Sequence, residues 1–236
     1  MSACVSDAPV PEKWDVDERV DLHVQLGASY LRRDQFETAA RELDLALRLE
    51  PQNSGANHVM ALLQNRLENY DEAEKRFRVA TRQGTNNPEA DLDYGRFLCV
   101  RDRVDEGVVH LKKVLDTPAY PRLEIVNMYI GECLMRKPDY TAAESYFRAA
   151  LAVNPRLTGA LYNMATLMYE TGSYLLARAY LERYFEIGRE TPGALLLAVK
   201  TELQLGADDL VATYSSRLRT QFAGSKEVQE LEQLDE

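Results

Sequence analysis

A small residue that returns every 34 positions constrains this chain more than anything else in it. Gly27 follows Leu26 and precedes Tyr30, and Ala61 follows Met60 and precedes Gln64. Gly95 sits between Tyr94 and Leu98, Gly131 between Ile130 and Leu134, and Ala165 between Met164 and Met168. The sites at 27, 61 and 95 are 34 residues apart, as are those at 131 and 165; only the step from 95 to 131 is longer, by two residues. A second set follows each small residue. Ala39, Leu43 and Ala46 return as Ala73, Phe77 and Ala80, as Gly107, Leu111 and Val114, as Ala143, Phe147 and Ala150, and as Ala177, Leu181 and Tyr184. The first set keeps one face of a helix, and the second, at i, i+4 and i+7, is the facing stripe of another. Gly or Ala at the crossing lets the two helices approach without a side-chain clash.

In period and in residue type at each place, residues 20 to 190 resemble the tetratricopeptide repeat. One helix pair cannot bury its own apolar stripe, and stacked neighbours can. The expected fold is therefore all-α: a tetratricopeptide-repeat superhelical solenoid of about six helix-turn-helix repeats. The spacing divides it into 20–53, 54–87, 88–123, 124–157, 158–190 and a degenerate 191–219, with a tether at 1–19 and a C-terminal capping segment at 220–236. The repeat-signature positions are Gly27, Ala39, Ala61, Ala73, Gly95, Gly131, Ala143, Ala165 and Ala177.

Polar segments separate the paired helices at Arg33-Asp34-Gln35, Glu68-Asn69-Tyr70 and Lys137-Pro138-Asp139. Pro51 and Pro155 stop the second helix of their units, because proline cannot continue a helix and keeps the preceding residue out of it. The two extra residues fall around Thr117-Pro118-Ala119-Tyr120-Pro121, where two prolines predict a stiff, non-helical connection. It reads equally as a plain loop or as a functional one. In the sixth unit Leu197-Ala198 take the apolar-small place, Gly206-Ala207-Asp208 the turn, and Leu210 with Tyr214 part of the second helix. Ser225 is placed to cap a last helix from Lys226 to Leu234, with Glu227 in its first turn.

Net charge bears on partners. At −10 the chain is a poor polyanion binder, so nucleic acid is not expected. No apolar run is long enough to cross a bilayer. Enzyme signatures are missing: no HExxH, no GxSxG, no phosphate-cradling glycine loop. The histidines, His23, His58 and His110, have no ligand-spaced Cys or Asp, and His58 reads as a surface or packing residue. The expectation is a protein without catalytic residues, metal or cofactor. Of the three cysteines, Cys99 and Cys133 lie 34 apart at nearly the same place in successive repeats. Two buried reduced thiols are the expected state, and a bridge is open to them only in an oxidising compartment.

The first helices of such repeats line the concave side. At the positions where the chaperone-tail binders of this fold clamp a carboxylate stand Val24, Ala28, Val59, Glu89 and Asp93, two acidic and none basic, which disfavours that partner class. Groove positions suited to contact a protein are Asn65, Arg66, Arg96, Tyr129, Tyr162 and Tyr169. The three tyrosines form an amphipathic stripe that fits an extended peptide or a sheet edge, or else inter-repeat packing, as aromatics at helical spacing more often do. Met128, Met135, Met164 and Met168 fall in the same two repeats.

Ahead of the repeats, residues 5 to 18 are polar and acidic, with two prolines. Trp14 reads as packing on the first repeat rather than waiting for a partner. Ser2-Ala3-Cys4 looks like the end of a bacterial lipoprotein signal, and Val5 after it resembles an outer-membrane sorting pattern. With this start, the chain resembles the type IV pilus biogenesis/stability lipoproteins, the PilF/PilW family. The likeness runs through the first repeat VQLGASYLRRDQFETAARELDLALRLEP and the third, LDYGRFLCVRDRVDEGVVHLKKVLDTPAYP, to the weak sixth, GALLLAVKTELQLGADDLVATYSSRL. Asp93 stands where that family usually has Asn. The resemblance implies a monomeric outer-membrane lipoprotein facing the periplasm, held only by a lipid on Cys4. As a pilotin it would aid localisation and multimerisation of the pilus secretin, or serve another pilus-assembly component. The alternative is a generic repeat adaptor, cytoplasmic or periplasmic, in another assembly pathway.

Overall fold

The structure is a computed structural model that describes residues 15–82, 86–188 and 190–234. Cys4 and Trp14 lie outside the described residues. Among those described there are thirteen helices and no strand. They are α1 (Val16–Arg32), α2 (Phe36–Leu49), α3 (Ser54–Arg66), α4 (Tyr70–Ala80), α5 (Pro88–Val100), α6 (Val104–Leu115), α7 (Leu123–Met135), α8 (Tyr140–Val153), α9 (Thr158–Glu170), α10 (Tyr174–Ile187), α11 (Pro192–Leu205), α12 (Asp208–Gln221) and α13 (Lys226–Leu234). They follow one another as helix-turn-helix repeats, a tetratricopeptide-repeat solenoid. Two compact units divide within α5, after Tyr94. Residues 16–19 are helical rather than tether, because the Asp15 carboxylate accepts the Val16 N–H at 2.7 Å and starts α1 there.

The interlock of each pair follows from the small residues. A Cβ on Gly27 would lie 2.7 Å from Leu43 Cγ, and one on Gly95 2.7 Å from Leu111 Cγ. A Cβ on Gly131 would enter the Phe147 ring. In all three the large residue lies sixteen positions after the glycine. Ala39, Ala61, Ala73, Ala143, Ala165 and Ala177 are fully buried at the matching crossings.

The turn inside each pair carries a periodic device that residue type hides. Asp34, Glu68 and Asp102 have φ near +55 to +60°, and Gly172 and Gly206 have φ of 74° and 64°. Each lies seven residues after the crossing position. Only the last two are glycine, so the left-handed step is invisible to a search for glycine turns. Between pairs, Glu50 and Asn154 are extended ahead of Pro51 and Pro155, as a residue before proline must be. Asn53 and Asn87 cap α3 and α5 through their side chains, at 2.9 and 3.1 Å. In the long connection Tyr120 is buried.

Two expectations change. Cys99 and Cys133 are joined as a disulfide, with their Cα atoms 5.3 Å apart, rather than being two reduced thiols. Within each unit neighbouring first helices lie side by side, so residues one period apart face each other across the seam. The sixth repeat is shifted by one residue. Seven positions before its left-handed Gly206 stands Val199, not Ala198, and sixteen after Val199 stands Ser215. Val199 is fully buried, Ser215 is 5% exposed and Leu218 is buried, whereas Leu210 is exposed. The small residue has moved from the first helix to the second, and the bulk with it in the other direction. The terminal helix α13 covers this pair through Val228 and Leu231, packed on Leu195, Leu196, Val199 and Leu218, and Ser225 Oγ accepts the Val228 N–H at 3.3 Å.

Candidate functional site

The first helices of the second unit present a connected row of polar and aromatic side chains. Arg96 on α5 holds its guanidinium 4.1 Å from the centre of the Tyr129 ring on α7. One turn along α7, Glu132 accepts from Asn163 Nδ2 of α9 at 2.7 Å. Glu132 is exposed at the surface, yet the protein around it raises its carboxyl above the ordinary value by desolvation. The Asn163 amide and the Arg96 charge pull the other way. Arg136, at the end of α7, donates to Asp102 at 2.7 Å and to the Val100 carbonyl at 3.3 Å. Arg96, Val100, Tyr129, Glu132, Arg136 and the disulfide enclose a cleft of about 160 Å³. Arg96 and Tyr129 are thus together, and the sequence spacing brought them to adjacent repeats without indicating that they touch.

Tyr162 and Tyr169 lie on α9, at the rim of a cleft of about 250 Å³ shared with Leu196 and Lys200 of α11 and Glu227 and Glu230 of α13. Both are half-buried. Tyr162 leans on Tyr184 at 6.1 Å between ring centres and Tyr169 on Tyr174 at 5.5 Å. Burial pushes the Tyr162 hydroxyl up. The tyrosine stripe therefore packs with one edge and faces the cleft with the other. Met128, Met164 and Met168 are buried in the core beneath it.

Asn65 and Arg66 belong to the first unit. Asn65 is half-buried, and the exposed Arg66 pairs with Asp34 at 3.3 Å. The same pairing recurs in the second unit as Arg136 with Asp102. Each joins the left-handed turn residue of one repeat to the end of the next repeat's first helix. Two histidine contacts are absent from the motif reading. His58 Nε2 lies 2.9 Å from Asp93 Oδ2, across α3 and α5, and His23 Nδ1 lies 2.8 Å from Glu42 Oε2. His58 and Asp93 are 35 apart, one more than the period, which is the signal that could have paired them. Asp93 is therefore engaged within its own unit. Val24 and Ala28 pack against the Leu31–Leu63 core. Among the described residues no group of His, Cys, Asp and Glu is arranged to hold a metal ion, and no helix is long and apolar enough to cross a membrane.

No protein-family model matches the chain. In sequence it is similar to the type IV pilus assembly protein PilF of Pseudomonas aeruginosa, with 27% identity over 98% of this chain and 93% of that protein. The solved structure of Pseudomonas aeruginosa PilF superposes with a TM-score of 0.82 over 94% of this chain and 99% of its own, at 27% identity. The crystal structure of PilW, a widely conserved type IV pilus biogenesis factor, gives a TM-score of 0.84 over 90% of this chain and 97% of its own, at 28% identity. A tetratricopeptide-repeat protein from Parabacteroides merdae, 17% identical with a TM-score of 0.68, shares the fold. The chain is homologous to PilF.

Proposed function

We propose that this PilF homologue is a non-catalytic protein-binding scaffold of type IV pilus biogenesis, acting as a pilotin that helps the secretin reach the outer membrane and multimerise. The likeness to PilF along 98% of the chain carries the reading. A matching order of repeats from end to end is more than a shared generic repeat supplies. The disulfide between Cys99 and Cys133 supports an oxidising compartment such as the periplasm. Cys4 is the site of lipidation in this reading, and the protein works as a monomer facing the periplasm. Asn65, Arg66, Arg96, Tyr129, Tyr162 and Tyr169 are the proposed partner-contacting residues. Repeat scaffolds act through such side chains on a rigid frame, without bond chemistry.

The test is a Cys4→Ala substitution in the native host, with envelope fractionation and a gel assay of secretin multimers. The expected outcome is loss of membrane association and of the multimer. A normal, correctly placed secretin multimer in that strain, or in a strain lacking the protein, overturns the pilotin reading.

A further inference from the structure

Leucines stand in the open where the last two repeats turn. Leu175 is 68% exposed, Leu176 51%, Leu203 44% and Leu210 37%. Earlier second helices open on acids at these places: Glu37 in α2, Asp71 and Glu72 in α4, Asp105 and Glu106 in α6. The matching places in α10 hold Leu175 and Leu176, and Leu210 follows Gly206 in α12 as Leu176 follows Gly172 in α10. An acid in the first turn is favoured by the helix dipole. Leucine there gives up that interaction and exposes apolar surface instead.

Two contacts gather these side chains on one edge. Arg178 of α10 is bound to Glu202 of α11, which sets the start of α10 beside Leu203. Tyr174, next to Leu175, leans on Tyr169 at 5.5 Å between ring centres, which brings Glu170 to the same edge. Glu170, Asp208 and Asp209 are exposed and have no ion-pair partner among the described residues. Arg178, the nearest cation in sequence to the α10 leucines, is already taken by Glu202. The turns of the third and fourth repeats are built differently. There Arg103 with Glu106, Arg136 with Asp102 and Lys137 with Asp105 neutralise one another. At the fifth and sixth the edge instead joins exposed leucines to three uncompensated carboxylates.

We infer that this edge docks a basic, amphipathic segment of a protein partner, whose apolar side chains cover the four leucines and whose lysines or arginines meet Glu170, Asp208 and Asp209. The inference deepens the scaffold reading, on which it rests, by naming a surface and the partner's chemistry. Grouped exposed leucines mark a contact surface, as scattered ones do not. Their burial supplies the attraction, and the carboxylates select the sign of the partner. The same carboxylates repel an anionic lipid surface.

An array of random peptides of about twelve residues, probed with the labelled full chain, tests this. Peptides held by the wild type are expected to combine Lys or Arg with large apolar residues. They should bind the double variant L175S/L176S at least about tenfold more weakly. The variant E170Q/D208N should bind them more weakly too, and with less dependence on salt. L45S, an exposed leucine of α2, leaves binding unchanged. No bound peptide, no enrichment in Lys and Arg, or equal binding to L175S/L176S overturns the proposal. So does a wild-type dimer in sedimentation that L175S/L176S abolishes, since a second copy would then be the occupant. Should L175S/L176S fail to give a wild-type circular-dichroism melt, L175Q/L176Q replaces it with the same criteria. The secretin multimer in the Cys4→Ala strain is scored separately. Basic peptides lost on L175S/L176S, with a normal multimer in that strain, leave the docking edge standing and remove the pilotin reading. A lost multimer with no basic enrichment does the reverse.

Discussion

The first repeat and the sixth solve one packing problem in opposite ways. In the first, Gly27 on α1 makes room for Leu43 on α2. In the sixth, Val199 on α11 takes the bulk and Ser215 on α12 gives way. The summed volume at the crossing is what the fold requires, and either helix can supply the small partner. The sixth repeat departs in a second respect. Its first helix buries a carboxylate, Glu202, whose side chain is 2% exposed and which Arg178 of α10 meets through Nε at 2.9 Å. By contrast, the pair of Arg66 with Asp34 in the first unit is exposed. In its place in the fold, α11 packs against α9, α10, α12 and the terminal α13.

The largest expected effect breaks the large half of the first crossing. Leu43→Ala leaves a cavity in a fully buried site and should cost about 3 kcal/mol in urea unfolding. Ser215→Ala, at the matching place in the sixth repeat, should cost less than about 1 kcal/mol. Comparable losses at the two sites would refute the swap of bulk. Overpacking comes next. Gly27→Val should cost about 2–3 kcal/mol. Adding Leu43→Ser to it transplants the sixth-repeat arrangement, and the double mutant should be more stable than the sum of the two losses by about 1 kcal/mol or more. Strict additivity would show that Gly27 and Leu43 do not share the space.

Glu202→Gln removes the buried charge and keeps the shape. Arg178 is then left without its anion, and about 2 kcal/mol of stability should go. An unchanged urea midpoint would mean that the pair contributes nothing. At the turns, Asp34→Gly exchanges an exposed ion pair for a backbone that accepts positive φ, and the net change should stay within about 0.5 kcal/mol, on the stabilising side. The smallest effect concerns Glu132. Partial desolvation by the surrounding protein raises its folded carboxyl above the unfolded value, so the folded state holds the proton to higher pH. Its contribution is full below the unfolded value and is lost as pH rises through the folded one. Glu132→Gln should flatten that decline by a few tenths of a kcal/mol at most, since the group stays solvent-accessible. A steeper decline in the variant would reverse the assigned sign.

Much of the fold was legible because crossing positions demand small side chains, and Gly or Ala at a fixed period is hard to mistake. The sixth repeat was misplaced by one residue for the same reason: Ala198 satisfied a search for a small residue, while the true slot holds valine. The left-handed turn residues were missed because aspartate and glutamate fill most of them. At the candidate site, Arg96, Tyr129, Tyr162 and Tyr169 could be named from position within the repeat. Glu132, Asn163 and Arg136, which complete the row, could not, since polar residues on an exposed face carry no periodic signal. Asp93, read as a groove residue, is tied to His58.

By itself the sequence determined the helix pairs, their period and the places where they cross, because those depend on local spacing and side-chain size. Tertiary structure decided what lies across each seam: the Cys99–Cys133 bond, the Arg96–Tyr129 contact, the buried Arg178–Glu202 pair and the exchange of bulk between α11 and α12. Such contacts join residues about one repeat apart, or on facing helices, and their partners are fixed only when neighbouring repeats pack.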